Sequence, residues 1–585
     1  NILLLSQFPF IHSDESWLSG LTREIFAIGE GTGTLMSAPA GIDLTATEPF
    51  FDLLPRFPHF IKLLFHALQA PFIAVFGYGP FAVRLLSLAA GCLALLFFYR
   101  TTAALPLSSR AGAARPSISF VTAALLALDI QFIYAAHFGR QEILLVAALT
   151  AALWVYFREL QAVSAPAGAP AGHFLRGVLR GNGHRAAAMI IGLSTGIHPN
   201  AFLISLPIGA FLLVDVVAAR SRAEFGSALR RGLEYTAILA AWAALFVGLS
   251  YLLDPQFWYH YRSFGDRVGV VEPLYIKAFR FPDFYQKLYY RISGTYYTPA
   301  IKVQFFLFGA ALAAAPIAAL LGRGRQSETA PVKGTPAGRG AGRLILQLLA
   351  ALLLLNIGTL ILGKYSQPSI ILHFPLYYLL IGLELAVCAG RLARSGQTAC
   401  MGNRRQLGKP NEPARIFTLV VPAALLLLTA ANSGYNIGQE LHLLPPKPRE
   451  YYETYAEYGH NLHKYVPANA TVLANLNAEY HFGRGRLYDY RNLEYLDEAG
   501  LSFTDYIEKN SIEYIVYPEE MDLIYRQRPV WNILYGNVAA YYEDMQQFLT
   551  ANCRPVGSFE SHIYGMRITR YMGRKPWRVN VYRVD

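Results

Sequence analysis

The chain has 585 residues, of which 54% are hydrophobic and only 15% charged, and its mean hydropathy is +0.29. Soluble proteins of this length rarely reach such values, so the composition excludes an ordinary soluble enzyme and points to a polytopic α-helical membrane protein. The formal net charge of +12 sits mostly in loops between apolar blocks, which makes it a topological signal rather than the footprint of a nucleic-acid binder.

Apolar blocks of about twenty residues, the length that crosses about 30 Å of hydrocarbon, predict spans near 81–99, 118–136, 142–158, 186–197, 200–219, 235–253, 301–321, 344–362, 369–390 and 416–433. The apolar stretch Ile2 to Ile11 reads as the tail of a first span whose beginning is missing, giving about eleven transmembrane helices in all. A long loop, 12–80, follows; within it His59 to Phe76 is apolar but interrupted by Lys62, His66 and Pro71, the pattern of an interfacial segment. The loops at 100–117, 158–185, 220–231, 322–343 and 391–415 hold most of the Arg and Lys and are expected in the cytoplasm. Parts of two of them, 161–185 and 322–343, are Ala-, Gly- and Pro-rich flexible connectors. The turns near 137–141, 198–199 and 363–368 and the long loops 12–80 and 254–300 then lie outside. Loop 254–300 is rich in aromatic residues, among them Trp258, Tyr259, Tyr275, Tyr289 and Tyr290, which suit either an interfacial belt or stacking on sugar faces.

After the run Pro445 to Pro448 the chain turns polar and Tyr-rich. Residues 1–433 are therefore expected to form a membrane domain and 434–585 an extracytoplasmic α/β domain. Its pattern predicts helices at Tyr451–Tyr465, Phe503–Asn510 and Tyr541–Asn552. Strands are expected at Thr471–Leu476, Tyr514–Tyr517, Arg554–Glu560, Met566–Tyr571 and Val579–Val584. The run His481 to Arg486 is too short, and wrongly framed, for a nucleotide-binding glycine loop. Cys92 and Cys388 fall in spans, Cys400 in a cytoplasmic loop and Cys553 alone outside, so no external pair and no CxxC metal signature exists.

Four external clusters carry candidate chemistry. Asp14-Glu15 follows the apolar start of the chain, where adjacent carboxylates serve either as a helix cap or as acid–base groups. Arg140 and Glu142 lie in the short turn His137 to Glu142, a guanidinium fork suited to phosphate oxygens beside a carboxylate that can orient a hydroxyl. His198 stands in the turn Gly196 to Asn200, where a structural hydrogen bond is the commoner role. Lys364 and Tyr365 occupy the turn Gly363 to Pro368, with Lys364 either snorkelling or contacting phosphate.

Taken together these residues resemble the GT-C class of membrane glycosyltransferases that use polyprenyl-phosphate-linked sugars, with most likeness to the branch of protein O-mannosyltransferases and lipid A aminoarabinose transferases. The resemblance rests on Asp14-Glu15, on Ala136 to Glu142, on the Gly192–Pro199 turn and on the external α/β tail. Gln141 stands where Pro is often seen, and His198 where some members carry Lys. The resemblance implies an inverting glycosyltransferase of the cell envelope, with its active site on the extracytoplasmic face. It moves a sugar from a polyprenyl-phosphate-linked donor to a protein, lipid or glycan acceptor among membrane lipids, with no nucleic acid involved. Asp14 is then the expected general base, with Glu15 as a catalytic neighbour that positions the acceptor or an ion, Arg140 and Lys364 the donor phosphate ligands, and Glu142, His198 and Tyr365 substrate-positioning groups. The metal is unknown and a divalent cation stays open. The rival expectation is a transporter or flippase for a lipid-linked saccharide, which favours mid-span charges and broken helices. A non-catalytic receptor or scaffold is a third.

Overall fold

In the computed structural model the residues described are 2–26, 60–105, 115–164, 182–253, 255–259, 262, 272–290, 298–322, 340–363, 366–400, 412–443, 453–483, 486–567 and 577–585. Lys364, Tyr365, much of loops 161–185 and 322–343, and positions 568–571 of an expected strand lie outside them.

The stretch Ile2–Ile11, read as the end of a span, is one 3-10 turn, Ile2–Leu4, followed by irregular chain that buries Leu5, Phe8 and Ile11. Helix α1, Ser13–Ile25, comes next, then α2, Phe60–Phe76, which matches the segment read as interfacial. The two are tied where Thr22 Oγ1 lies 2.8 Å from His66 Nδ1 and donates to Gln69 Oε1 at 2.7 Å. The helical body continues with α3 (Pro80–Ala104), α4 (Arg115–Ala127), α5 (Ile130–His137), α6 (Glu142–Ser164), α7 (Gly183–Leu193), α8 (Ala201–Val217) and α9 (Arg222–Leu253). It ends with α10 (Leu274–Tyr290), α11 (Lys302–Gly322), α12 (Ala341–Leu362), α13 (Phe374–Cys400) and α14 (Glu412–Leu443). Among the described residues, five helices are long and apolar enough to cross a membrane, and a sixth if α4 and α5, bent by 63°, count as one broken span. The protein is thus a helical polytopic membrane protein, with five to six such spans among the described residues where the apolar blocks predict eleven. The block 118–136, read as one span, breaks at Leu128-Asp129 because the Asp129 carboxylate caps the amide of Gln131 at 2.8 Å and starts a new helix.

Strands buried on both faces form the centre of the C-terminal sheet. Strands β1 (Thr471–Ala474), β2 (Arg486–Asp489), β3 (Tyr514–Pro518), β4 (Cys553–Ser561) and β5 (Trp577–Val584) stand in the order β2-β1-β3-β5-β4. The first three pair in parallel, with Val472 opposite both Leu487 and Tyr514, while β5 runs antiparallel to β3 and β4. Edge strand β4 carries Pro555 at a register shift, where a missing amide does least harm. Leu473, Ile515 and Tyr517 face one core with Tyr506, Met545 and Phe548, and Val472, Ala474 and Val516 face another. Ile11 and Trp17 of the N-terminal segment pack into that second core, so one face of the sheet closes on the start of α1. The seam is polar at its edge. Arg23 meets Glu479 at 3.5 Å, the Tyr78 hydroxyl donates to Glu479 at 3.1 Å, Ser19 and Tyr480 share a 3.0 Å hydrogen bond, and Arg23 donates to the Gly483 carbonyl.

Candidate active site

The first turn of α1 is organised by its own side chains. His12 precedes it; its Nδ1 accepts from the Asp14 amide at 3.0 Å, and Glu15 reaches back to the His12 amide at 3.2 Å. This is a capping box in which imidazole replaces the usual hydroxyl, and it sets two carboxylates at the positive end of the helix dipole. Since Nδ1 accepts, the His12 ring is assigned neutral with its proton on Nε2. Burial pushes its pKa down to about 4; the Asp14 carboxylate opposes that shift and Arg140 adds to it.

The two acids then part company. Glu15 is fully buried and saturated: Arg84 Nε and Nη2 donate to its two oxygens at 2.8 and 2.7 Å, and the Gly139 amide donates at 2.6 Å. Arg84, itself without exposure, uses Nη1 on the Leu5 carbonyl at 2.9 Å. A bidentate pair of this kind, with its remaining sites filled, is what makes two buried charges tolerable. The residue in contact must be Gly139, because a Cβ there would stand 2.6 Å from Val83 Cγ1 and 3.1 Å from Glu15 Oε1. Asp14 is instead a quarter exposed. It pairs with Arg140 Nη1, while Glu142 holds the same guanidinium from the other side, at 3.0 Å to Nη2 and 3.3 Å to Nε.

The structure therefore brings together Asp14, Glu15, Arg140 and Glu142, which the sequence placed in two separate clusters. His198 belongs to another neighbourhood: its Nδ1 accepts from the Asn200 amide at 3.0 Å, and the Asn200 side chain reaches Ser369 at 3.4 Å. Lys364 and Tyr365 lie outside the described residues, but beside their turn Lys277 on α10 is buried and donates to the Ile361 carbonyl at 2.6 Å. Gly363 has φ +70° and ends α12 against the Lys277 stem. Sequence reading missed Arg84, His12 and Lys277. An Arg inside the apolar block 81–99 was the available signal, since a charge there needs a partner.

Among the described residues no group of three or more His, Cys, Asp or Glu is placed to hold a metal ion. Asp14, Glu15 and Glu142 carry guanidinium partners, so the donor set does not suit a divalent cation.

No protein-family model matches the chain, and no curated protein matches its sequence. Solved structures do resemble it. Apo ArnT from Cupriavidus metallidurans is 15% identical with a TM-score of 0.50, covering 99% of this chain and 95% of that one. ArnT from the same organism bound to undecaprenyl phosphate is 14% identical, with a TM-score of 0.44 and 83% of each chain covered. The Archaeoglobus fulgidus oligosaccharyltransferase tethered to an acceptor peptide is 13% identical, with a TM-score of 0.45, covering 89% of this chain and 68% of that one. At such identity the likeness speaks for fold alone: this chain's fold resembles that of the GT-C membrane glycosyltransferases.

Proposed function

We propose that the protein is an integral membrane glycosyltransferase that moves a sugar from a polyprenyl-phosphate-linked donor to a hydroxyl or amine acceptor, with inversion. The observation that carries this reading is the Asp14–Arg140–Glu142 arrangement at the start of α1: a partly exposed carboxylate beside a guanidinium clamped by two acids. The fold likeness supports it, and among the similar structures one ArnT is bound to undecaprenyl phosphate.

Asp14 takes the acceptor's proton as its oxygen or nitrogen attacks the anomeric carbon, while the bond from that carbon to the phosphate oxygen breaks and the lipid phosphate leaves. Arg140 stabilises the charge that develops on that phosphate, with Lys364 as its second ligand. Because Arg140 pairs with Asp14 in the ligand-free protein, a donor phosphate competes for the guanidinium and releases the carboxylate to act as base. Glu15 serves this chemistry from behind, holding Gly139 and α1 in register through Arg84. Glu142 aims Arg140, and His198 and Tyr365 flank the substrate. The site and the α/β domain lie on the extracytoplasmic face, opposite the Arg-rich loops, and residues 1–433 and 434–585 act as membrane and external domains. The acceptor is a protein, lipid or glycan presented at that face.

The experiment is donor binding and turnover with a defined polyprenyl-phosphate sugar. Arg140→Ala and Lys364→Ala are expected to weaken donor use, each removing a charge-assisted contact worth about 1.5–3 kcal/mol. Unchanged donor affinity in both variants would remove the phosphate assignment. A second reading, translocation of a lipid-linked saccharide, draws on the broken α4–α5 span and on the buried carboxylate of Glu384, whose oxygens have no hydrogen-bond partner among the described residues. Movement of labelled donor across proteoliposomes by Asp14→Asn protein that transfers no sugar would favour it.

A further inference from the structure

The break between α4 and α5 sits inside the helical body, where freed backbone groups and a carboxylate must all find partners. They find them on two other helices. Asp129 Oδ1 accepts from the Gln131 amide at 2.8 Å and Oδ2 from the Tyr378 hydroxyl of α13 at 2.6 Å. Asn432 of α14 donates to the Tyr378 oxygen at 3.3 Å, and Asn436, one turn on, donates to the Leu128 carbonyl at 3.3 Å. Asp129, Tyr378, Asn432 and Asn436 are all at most 3% exposed. An ionisable group this deep is expensive, and a continuous apolar helix would have avoided it.

What the break delivers is direction. Helix α5 has eight residues, about 12 Å at 1.5 Å each, and every one of them is buried. Two residues beyond its end the Gly139 amide meets Glu15, and the next residue is Arg140. The angle at Asp129 therefore sets where the guanidinium stands relative to Asp14. We infer that Asp129, gripped by Tyr378, whose hydroxyl Asn432 holds in turn, is a positioning residue for sugar transfer, fixing α5 so that Arg140 faces the donor phosphate. The inference rests on the proposed donor role of Arg140.

A double-mutant cycle on the full-length protein in lipid nanodiscs tests it, reading KM for a polyprenyl-phosphate sugar apart from kcat. Asp129→Ala is expected to raise donor KM by about tenfold or more, and Asp129→Asn, which keeps the cap and a hydrogen bond to Tyr378, to return most of it. Combined with Arg140→Ala, Asp129→Ala is expected to add no further loss, because both act through one group. Additive losses, or a normal donor KM in Asp129→Ala, would overturn the inference while Arg140→Ala remains defective. A normal KM in Arg140→Ala would instead remove the donor reading, and the inference with it. If Asp129→Ala does not fold, Tyr378→Phe enters the same cycle with Arg140→Ala and decides by the same non-additivity.

Discussion

Adjacent in sequence, Asp14 and Glu15 differ in everything that sets a carboxylate's chemistry. Glu15 is enclosed and spent on Arg84, His12 and Gly139, whereas Asp14 keeps access to solvent and shares Arg140 with Glu142. The two substitutions are therefore expected to fail differently. Glu15→Gln and Arg84→Gln each leave an uncompensated buried charge, which costs about 3–5 kcal/mol. Thermal unfolding of purified protein would register this as a large fall in midpoint, and a wild-type midpoint in both would refute the anchoring role. The dipeptide is legible as a candidate site because paired acids beside an apolar stretch are uncommon, but its division of labour is not. Arg84 lies 69 residues from Glu15 and Gly139 a further 55 beyond Arg84, and no local pattern announces a contact across such separations.

At the scale of elements, the site depends on close approach. Gly139→Ala puts a methyl into Val83 and against the Glu15 carboxylate, so α3 or α1 must shift. Transfer is expected to fall by at least about tenfold with little loss of helix content, since misplacement of order 1 Å is that costly; an unimpaired Gly139→Ala enzyme would show the approach to be slack. The seam with the α/β domain makes a separate prediction: Glu479→Ala removes the carboxylate that Arg23 and Tyr78 share, and limited proteolysis should then release the C-terminal domain faster than from wild type. Equal digestion rates would mean that the Glu479 contacts do not hold the domain. Short apolar runs make β1 and β3 readable from the amino-acid sequence, and the alternation of Val579 and Val581 with Arg578 and Asn580 marks β5. The four-residue strand β2 escapes such reading because it is short, is closed at both ends by the charged Arg486 and Asp489, and follows the Gly-rich run Gly483 to Gly485. The α4–α5 break is hidden because hydropathy averages over Asp129, although an Asp two residues before Gln131 is also how a helix cap is written.

For the molecule as a whole, the Arg-rich loops set the expected topology: external cysteine labelling should reach positions in 254–300 and 434–585 but not in 322–343. Labelling of 322–343 from outside would reverse the orientation. Acid is expected to loosen the packing of α1 and the α/β domain. Burial lowers the pKa of both His12 and His481 to about 4, against about 6.5 in an unfolded chain. Between those values the unfolded state binds more protons, so stability is full above about pH 6.5 and declines as pH falls toward about 4. The unfolding midpoint should drop between about pH 7 and pH 5, and His12→Asn, which keeps a cap acceptor, should flatten the drop. A drop that His12→Asn leaves unchanged would mean that His12 does not carry it. The central claim, that this is a transferase with Asp14 as its base, is tested most directly by sugar transfer from a defined polyprenyl-phosphate donor with correctly inserted Asp14→Asn protein. Turnover about 10²–10⁴-fold below wild type with donor binding intact is the predicted result, and near-normal turnover would contradict it.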